Sequence, residues 1–238
     1  MKLDILAFGA HPDDVELSCS GTVIKHIKAG KKVGLIDITR GEMGTRGSID
    51  IRKAEAEQAM KIMGITIREN LGLEDCFFSN EKEDRIKAAI MIRKYQPDIV
   101  LANAVTDRHP DHGRAAKLVS DAAFISGLIK VETMLDGKPQ QHWRPKAVYH
   151  YIQDYYIKPD FVIDVTAVHE EKMDAIRAFK SQFYNPESNE PESPISGREF
   201  LDIVQGRSMH LGRSIGVKYA EGFTVERTPG VQSLFDLF

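Results

Sequence analysis

The sequence predicts an α/β fold with a mainly parallel sheet. The first two thirds of the chain alternate short apolar runs, typical of buried strands, with amphipathic segments at helical spacing. The helical segments have the length of βαβ crossovers, and glycine or proline lies at several boundaries. Strands joined in this way pair in parallel through right-handed connections.

Each element of the first half follows from its own pattern. Leu3–Ala10 is a nearly continuous apolar run, which predicts a buried strand. The next apolar residues recur at helical spacing until Gly30, which favours a helix end. The same arguments predict, in order, strand Leu3–Ala10, helix Leu17–Lys28, strand Lys32–Thr39, helix Ile51–Met63, strand Ile65–Leu71, helix Glu83–Tyr95, strand Ile99–Asn103 and helix Gly113–Ile125.

The pattern changes after Gly127, and the C-terminal part is less regular. It is predicted to contain strands Trp143–Ile152 and Asp160–Thr166, helix Ala167–Phe183, a proline-rich loop Asn185–Ser196, helix Phe200–Leu211 and strand Tyr219–Glu226. A loop of this length is either functional or mobile. We therefore predict one domain, 1–238, with a Rossmann-like three-layer core over 1–130 and additional elements over 131–238.

Composition excludes several classes of protein. The 238 residues are 42% hydrophobic and 28% charged, which is typical of a globular protein rather than a disordered or disulfide-framework chain. A net charge of -3 argues against a nucleic-acid partner. The N-terminus lacks the pattern of a signal peptide, and no apolar stretch approaches the ~20 residues of a membrane span. Cys19 and Cys76 are predicted to be reduced, which favours a cytoplasmic location.

Histidines and carboxylates follow two of the predicted strands. His11-Pro12-Asp13-Asp14 comes after the first strand, and Asp107–His112 comes after the strand that ends near Asn103. Because ligands bind beyond the carboxyl ends of parallel strands, both segments should meet at one edge of the sheet. Asp13, Asp14 or Asp111 could instead only cap a helix, but two such segments together favour a metal site.

These residue types suit a catalytic zinc site. His11, Asp14 and His112 would supply two imidazole nitrogens and one carboxylate, which leaves a coordination position open. Of the adjacent Asp13 and Asp14, one is left free to act as a general base. Likewise one of His109 and His112 can bind the metal while the other faces a substrate. Asp111 is positioned to fix an imidazole tautomer through a hydrogen bond.

Two other features remain open. The glycine-rich loop Arg40–Ser48 lacks a Walker motif and the dinucleotide fingerprint. Arg52, just inside the next helix, could clamp a carboxylate or phosphate, or could be an exposed arginine paired with Glu55 or Glu42. His210 is an unplaced candidate.

Two motifs carry a resemblance to a known family. Gly9–Glu16 and Arg108–His112 resemble the LmbE/PIG-L family of zinc-dependent de-N-acetylases. Further segments look most like its bacillithiol-pathway branch, which removes acetate from N-acetylglucosaminyl-malate. Those segments are Gly41–Gly44 with Arg52 and Glu55, Lys180–Phe183, and Tyr219–Phe223.

The resemblance implies a role for each matching residue. His11, Asp14 and His112 would bind one zinc ion per chain, with Fe²⁺ as an alternative. Asp13 would be the general base, and a protonated His109, oriented by Asp111, would stabilise the oxyanion or assist the leaving amine. Arg52 would contact the malate carboxylates, with Glu42 and Arg108 as further substrate contacts. Asp107 stands where some relatives carry a tyrosine. Members of this branch are often hexameric, so the resemblance also implies a homo-oligomer.

Other functions are compatible with parts of this pattern. Two histidines and a carboxylate also form the iron site of non-haem oxygenases, although many of those have a β scaffold. A phosphoesterase would need a second metal or an arginine clamp, and a purely structural metal site would not leave Asp13 free. Within the deacetylase interpretation, other glucosamine conjugates, short chito-oligosaccharides and thiol conjugates remain alternative substrates.

Overall fold

Within the described residues, 1–237, seven strands of this computed structural model form the central sheet. They are β1 (Ile5–Gly9), β2 (Val33–Thr39), β3 (Ile67–Leu73), β4 (Ile99–Ala102), β7 (Ala147–Tyr151), β8 (Phe161–Asp164) and β9 (Ala220–Val225). Across the sheet they follow the order β3-β2-β1-β4-β7-β9-β8. β9 runs antiparallel to β7 and β8, whereas the pairs from β3 to β7 are parallel. The predicted mainly parallel sheet is confirmed.

Helices cover both faces of the sheet. They are α1 (Asp14–Lys28), α2 (Ile49–Met63), α3 (Lys82–Tyr95), α4 (Pro110–Ser126), α5 (His169–Arg177) and α6 (Phe200–Arg213). Leu6 and Phe8 of β1 pack in one apolar cluster with α3 and α4, while Ile5 and Ala7 pack in another with α1 and α5. This burial on both faces explains the continuous apolar runs of the strands. Within residues 1–237, no helix has the length and apolarity to cross a bilayer.

Apart from shifts of a few residues at the ends of elements, two features differ from the prediction. The helix predicted to reach Phe183 ends at Arg177. Beyond it, the Ser181 N–H donates to Glu55 Oε1 over 2.6 Å instead of continuing the helical pattern. A short hairpin of β5 (Met134–Leu135) and β6 (Lys138–Pro139) was not predicted, although the Asp136-Gly137 dipeptide between its strands is a strong hairpin signal.

A candidate metal centre at the carboxyl edge of the sheet

The two His/Asp segments meet where β1 and β4 end. α1 begins at Asp14, directly after the turn that follows β1, and α4 begins at Pro110, two residues before His112. Because β1 and β4 are parallel neighbours, their carboxyl ends bring His11, Asp14, His109 and His112 into one cleft. The cleft is open to solvent, so a small-molecule substrate can reach these side chains.

Asp14 lies between the two buried histidines. Its Oδ1 is 3.1 Å from His112 Nε2, and its Oδ2 is 3.7 Å from His11 Nδ1. Ligand atoms around a tetrahedral zinc ion are separated by roughly 3.3 Å, since each lies about 2.0–2.2 Å from the metal. Both distances are close to this separation, so each histidine is near enough to Asp14 to share a zinc ion with it.

In each of these two imidazoles, the outer nitrogen, which is the one that does not face Asp14, is hydrogen-bonded to another carboxylate. His11 Nε2 donates to Asp75 Oδ1 over 3.0 Å and to Asp111 Oδ2 over 3.3 Å. His112 Nδ1 donates to Asp107 Oδ2 over 2.5 Å. With a proton on each outer nitrogen, the inner nitrogens His11 Nδ1 and His112 Nε2 are left either to carry a second proton or to bind a metal ion beside Asp14. Metal-binding histidines are commonly supported by carboxylates in this way.

The charge distribution of the centre favours a cation. Burial alone would lower the pKa of His11, but hydrogen bonds to Asp111 and Asp75 outweigh it and raise the pKa to about 10. Burial also acts against the charged form of His112, yet the nearby Asp14 carboxylate raises its pKa to about 9. Burial would raise the pKa of Asp14, yet the two imidazoles hold it well below its usual range. The surrounding carboxylates thus stabilise positive charge, whether a proton or a metal ion supplies it.

Asp14 is further held by two buried amides. Asn103 Nδ2 donates to Asp14 Oδ2 over 2.9 Å, and Gln153 Nε2 donates to Asp14 Oδ1 over 3.1 Å. The two amides also contact each other, because Asn103 Nδ2 donates to Gln153 Oε1 over 3.0 Å. These bonds fix the orientation of the Asp14 carboxylate.

Within residues 1–237, two groups of side chains have ligand atoms that are close enough together to hold a metal ion, and neither group includes Asp14. Ligand atoms of His11, His109 and His112 lie within 4.8 Å of one another, as do those of His11, Asp75 and Asp111. In the second group, Asp111 also accepts bonds from Arg114 and from the Cys76 N–H. The structure thus clusters metal-binding side chains densely around His11.

Asp13 is paired with Arg52, whereas Asp14 faces the two histidines. Its Oδ2 accepts a bond from Arg52 Nη2 over 3.0 Å, and both side chains are buried. Burial raises the pKa of Asp13 to about 7, with Arg52 opposing the shift. The backbone at Asp13 has φ 123°, a conformation that costs energy for a residue with a Cβ. Such strain is typical of functional positions, and a carboxylate with this pKa suits a general base.

Arg52 is fixed by backbone carbonyls as well as by Asp13. Its Nη2 donates to Pro12 O over 2.7 Å and its Nη1 to Gly41 O over 3.3 Å. Both terminal nitrogens of the guanidinium thus donate to groups of the protein, although Arg52 also lines the cleft, so its expected contact with a substrate carboxylate stays a prediction. Arg52 positions Asp13 in this structure.

We expect Gly41→Ala to displace Arg52. Gly41 has φ +67°, and a Cβ there would lie 2.6 Å from Arg52 Cζ, whereas Gly30 has φ +81° and nothing within 4 Å among the described residues. Gly30→Ala should lower the free energy of unfolding by about 1 kcal/mol through backbone strain alone. Gly41→Ala should lose about 1–3 kcal/mol more, because buried hydrogen bonds of Arg52 are broken. Urea unfolding measures both, and equal losses would contradict this account.

His109 faces the cleft with one nitrogen already engaged. It is the N-cap of α4, and its Nδ1 accepts the Asp111 N–H over 3.2 Å. In the neutral ring the proton is therefore on Nε2. Burial and the nearby imidazoles of His11 and His112 lower the pKa of His109. A lowered pKa favours the neutral ring, in which Nε2–H is the donor, and the protonated His109 that the resemblance implies stays a prediction.

The remaining predicted residues do not all line the cleft. The Asp111 carboxylate contacts His11 rather than His109, because the first turn of α4 directs it there. Glu42 does not line the cleft, since its two oxygens accept bonds from the Arg40 and Asp75 N–H groups. Arg108 lines the cleft and donates to Asp154 over 2.7 Å. His210 lies outside the cleft, next to Tyr156.

Known proteins resemble this chain in sequence and in fold. The family model described as GlcNAc-PI de-N-acetylase matches residues 6–123, which include both His/Asp segments. The crystal structure of the conserved protein TT1542 from Thermus thermophilus is 31% identical, with a TM-score of 0.86 over 98% of each chain.

Two curated deacetylases are also similar. Diacetylchitobiose deacetylase from Thermococcus kodakarensis is 28% identical over 95% of this chain and 84% of its own length. A probable N-acetyl-alpha-D-glucosaminyl L-malate deacetylase from Bacillus anthracis is 27% identical over 50% of this chain and 58% of its own length.

Proposed function

The chain belongs to the PIG-L family of de-N-acetylases, and we propose that it is a metal-dependent enzyme that removes the acetyl group from a GlcNAc conjugate. One observation carries the proposal. His11, Asp14 and His112 converge in the cleft, while the separate side chains Asp13 and His109 line the same cleft without belonging to that group. A site with three ligands and independent acid–base groups suits hydrolysis better than structural metal binding.

We assign the metal to His11, Asp14 and His112. The outer nitrogens of both imidazoles are already hydrogen-bonded to carboxylates, so their inner nitrogens and Asp14 form the donor set. Zinc, when bound, would polarise the amide carbonyl and lower the pKa of the attacking water to ~7. Fe²⁺ accepts the same donors and is the alternative metal.

Asp13 is assigned as the proton acceptor. Arg52 holds its Oδ2, and the carboxylate lines the cleft beside Asp14. From there Asp13 takes a proton from the water as the water attacks the acetamide carbonyl. The same carboxyl can then return the proton to the departing amine nitrogen.

His109 is assigned to the developing oxyanion or to the leaving amine. Since its Nδ1 accepts the Asp111 N–H, its Nε2–H is the donor that remains for the substrate. A donor oriented before charge develops stabilises the transition state more than one that must reorient.

The proposed substrate is N-acetylglucosaminyl-malate, the substrate of the bacillithiol-pathway branch. The similarity to the malate-conjugate deacetylase supports this choice, whereas the relative that matches 95% of the chain is named for diacetylchitobiose. Diacetylchitobiose and other GlcNAc or thiol conjugates are therefore the alternatives to be assayed beside it. A cytoplasmic location, which the two cysteines favour, and the homo-oligomer that the resemblance implies complete the proposal.

Acetate release tests the proposal. We expect the zinc-loaded protein to release acetate from N-acetylglucosaminyl-malate, to lose this activity on chelation and to regain it when zinc is returned. Release from diacetylchitobiose alone would keep the reaction and replace the substrate. A zinc-loaded protein that releases acetate from none of these conjugates would contradict the proposed function.

A further inference from the structure

Arg46 is a buried arginine whose guanidinium lacks a full set of partners. It follows β2 in the loop that lines the cleft, and the residue is 5% exposed. Within residues 1–237, its Nε is buried without a hydrogen-bond partner. Burying a charged donor without a partner is costly, so such a group is unusual unless a ligand completes it.

A carboxylate of the protein lies just beyond reach of this donor. Glu190, in the proline-rich loop, has its Oε2 3.8 Å from Arg46 Nε, which is too long for a hydrogen bond. Its Oε1 accepts the Gly47 N–H over 2.8 Å. The Glu190 side chain is 43% exposed, so solvent weakens its attraction to Arg46.

The other arginines of the cleft donate to groups of the protein. Arg52 also has an unpartnered Nε within the described residues, but its terminal nitrogens donate to two backbone carbonyls and to Asp13. Arg108 donates to Asp154, and Arg207 donates to backbone carbonyls of Gln153 and Leu17. Arg46 is thus the arginine of this cleft whose guanidinium is least engaged by the protein.

The backbone around Arg46 holds it in place. Gln182 Nε2 donates to Arg46 O over 2.8 Å, and Ser181 in turn is bonded to Glu55 of α2. Ser193 and Pro194, from the loop that carries Glu190, line the same cleft as Arg46. The backbone of Arg46 is therefore anchored at one wall of the cleft, and the Glu190 loop lies beside it.

We propose that Arg46 binds a carboxylate on the part of the substrate beyond the N-acetylated sugar, and that Glu190 occupies the neighbourhood of this position until substrate arrives. The planar guanidinium can donate two parallel bonds to a carboxylate, which the present distance to Glu190 does not allow. The inference rests on the proposed function and narrows it to acidic GlcNAc conjugates. It also transfers anion recognition from Arg52, where the sequence suggested it, to Arg46.

Binding of the expected product tests this independently of turnover. Calorimetry on the zinc-loaded protein would compare glucosaminyl-malate with methyl glucosaminide, which lacks the carboxylates. We expect Arg46→Gln to weaken binding of glucosaminyl-malate about tenfold or more, as for loss of a charge-assisted hydrogen bond, and to leave methyl glucosaminide unchanged. Arg40→Gln, in an exposed arginine of the same loop, is the matched control and should change neither affinity.

Glu190→Gln tests the same site through the carboxylate beside Arg46, and it leaves the buried Arg46 itself unchanged. Removal of the competing carboxylate should tighten binding of glucosaminyl-malate several-fold without affecting methyl glucosaminide. Absence of glucosaminyl-malate binding to wild type, or equal effects of Arg46→Gln on both compounds, would overturn the inference. Acetate release by wild type from methyl N-acetylglucosaminide tests the proposed function alone, so the two failures are distinguishable.

Discussion

Asp13→Asn is expected to retain zinc and to lose about 10²–10⁴-fold in kcat, the usual contribution of a general acid–base residue. The amide has the shape of the carboxylate, and its oxygen can still accept the bond from Arg52 Nη2. Asparagine is also close to aspartate in size and backbone preference, so it should add little strain at φ 123°. The variant therefore removes the proton acceptor while it preserves the local structure.

His11→Ala is the matched control, because it removes an assigned ligand rather than the base. It should be purified without stoichiometric zinc, whereas Asp13→Asn should match the wild type in metal analysis. Acetate release, measured with added zinc, separates the two defects. Loss of zinc from Asp13→Asn would make Asp13 a ligand and would contradict the assignment.

The sequence predicts the position of this centre because strand direction alone determines it. β1 and β4 are parallel, so residues that follow them must meet at one edge, whatever the details of the turns. His11, Asp14 and His112 are found together for this reason. The pairing of each carboxylate with its imidazole depends on side-chain directions in short turns, which spacing does not determine. Proximity in sequence therefore favours His109 as the partner of Asp111, whereas the Asp111 carboxylate contacts His11.

Two residues of the centre were not predicted, although the same reasoning could have found them. Asp75 follows β3 and Gln153 follows β7, and both strands end at the edge that holds the cleft. Each residue could have been found because it comes just after a strand that ends at this edge, although neither belongs to a recognisable motif. The short α5 is different, because the bond from Ser181 to Glu55 joins segments 126 residues apart. A local pattern contains no information about such a contact.

A buried ion cluster beneath the centre gives the second large expected effect. Arg68 of β3 donates two bonds to Asp37, of 2.8 and 2.9 Å, and one of 2.6 Å to Glu16. The three side chains are 6%, 6% and 0% exposed, respectively. Glu16 lies in the first turn of α1, which begins with Asp14. The cluster therefore connects β2 and β3 to the helix that presents a proposed metal ligand.

Arg68→Met should lower the free energy of unfolding by about 3–5 kcal/mol, because it leaves two carboxylates buried without their cation. Lys28→Met removes an exposed ion pair with Glu171 and should cost less than about 1 kcal/mol. Urea unfolding at a fixed zinc concentration measures both. Similar small losses would show that the buried cluster does not hold α1 to the sheet.

The pH dependence of the Arg68→Met variant provides a sharper test than the loss alone. Burial already raises the pKa of Glu16 in the folded protein, and removal of Arg68 takes away the charge that opposes this shift. In the variant, the folded state therefore binds protons more tightly than the unfolded state, so its stability falls as pH rises. The free energy of unfolding that the variant loses relative to wild type should be larger at pH 8 than at pH 5. If the variant loses the same free energy of unfolding at both pH values, the loss comes from packing of the arginine side chain rather than from the two buried charges.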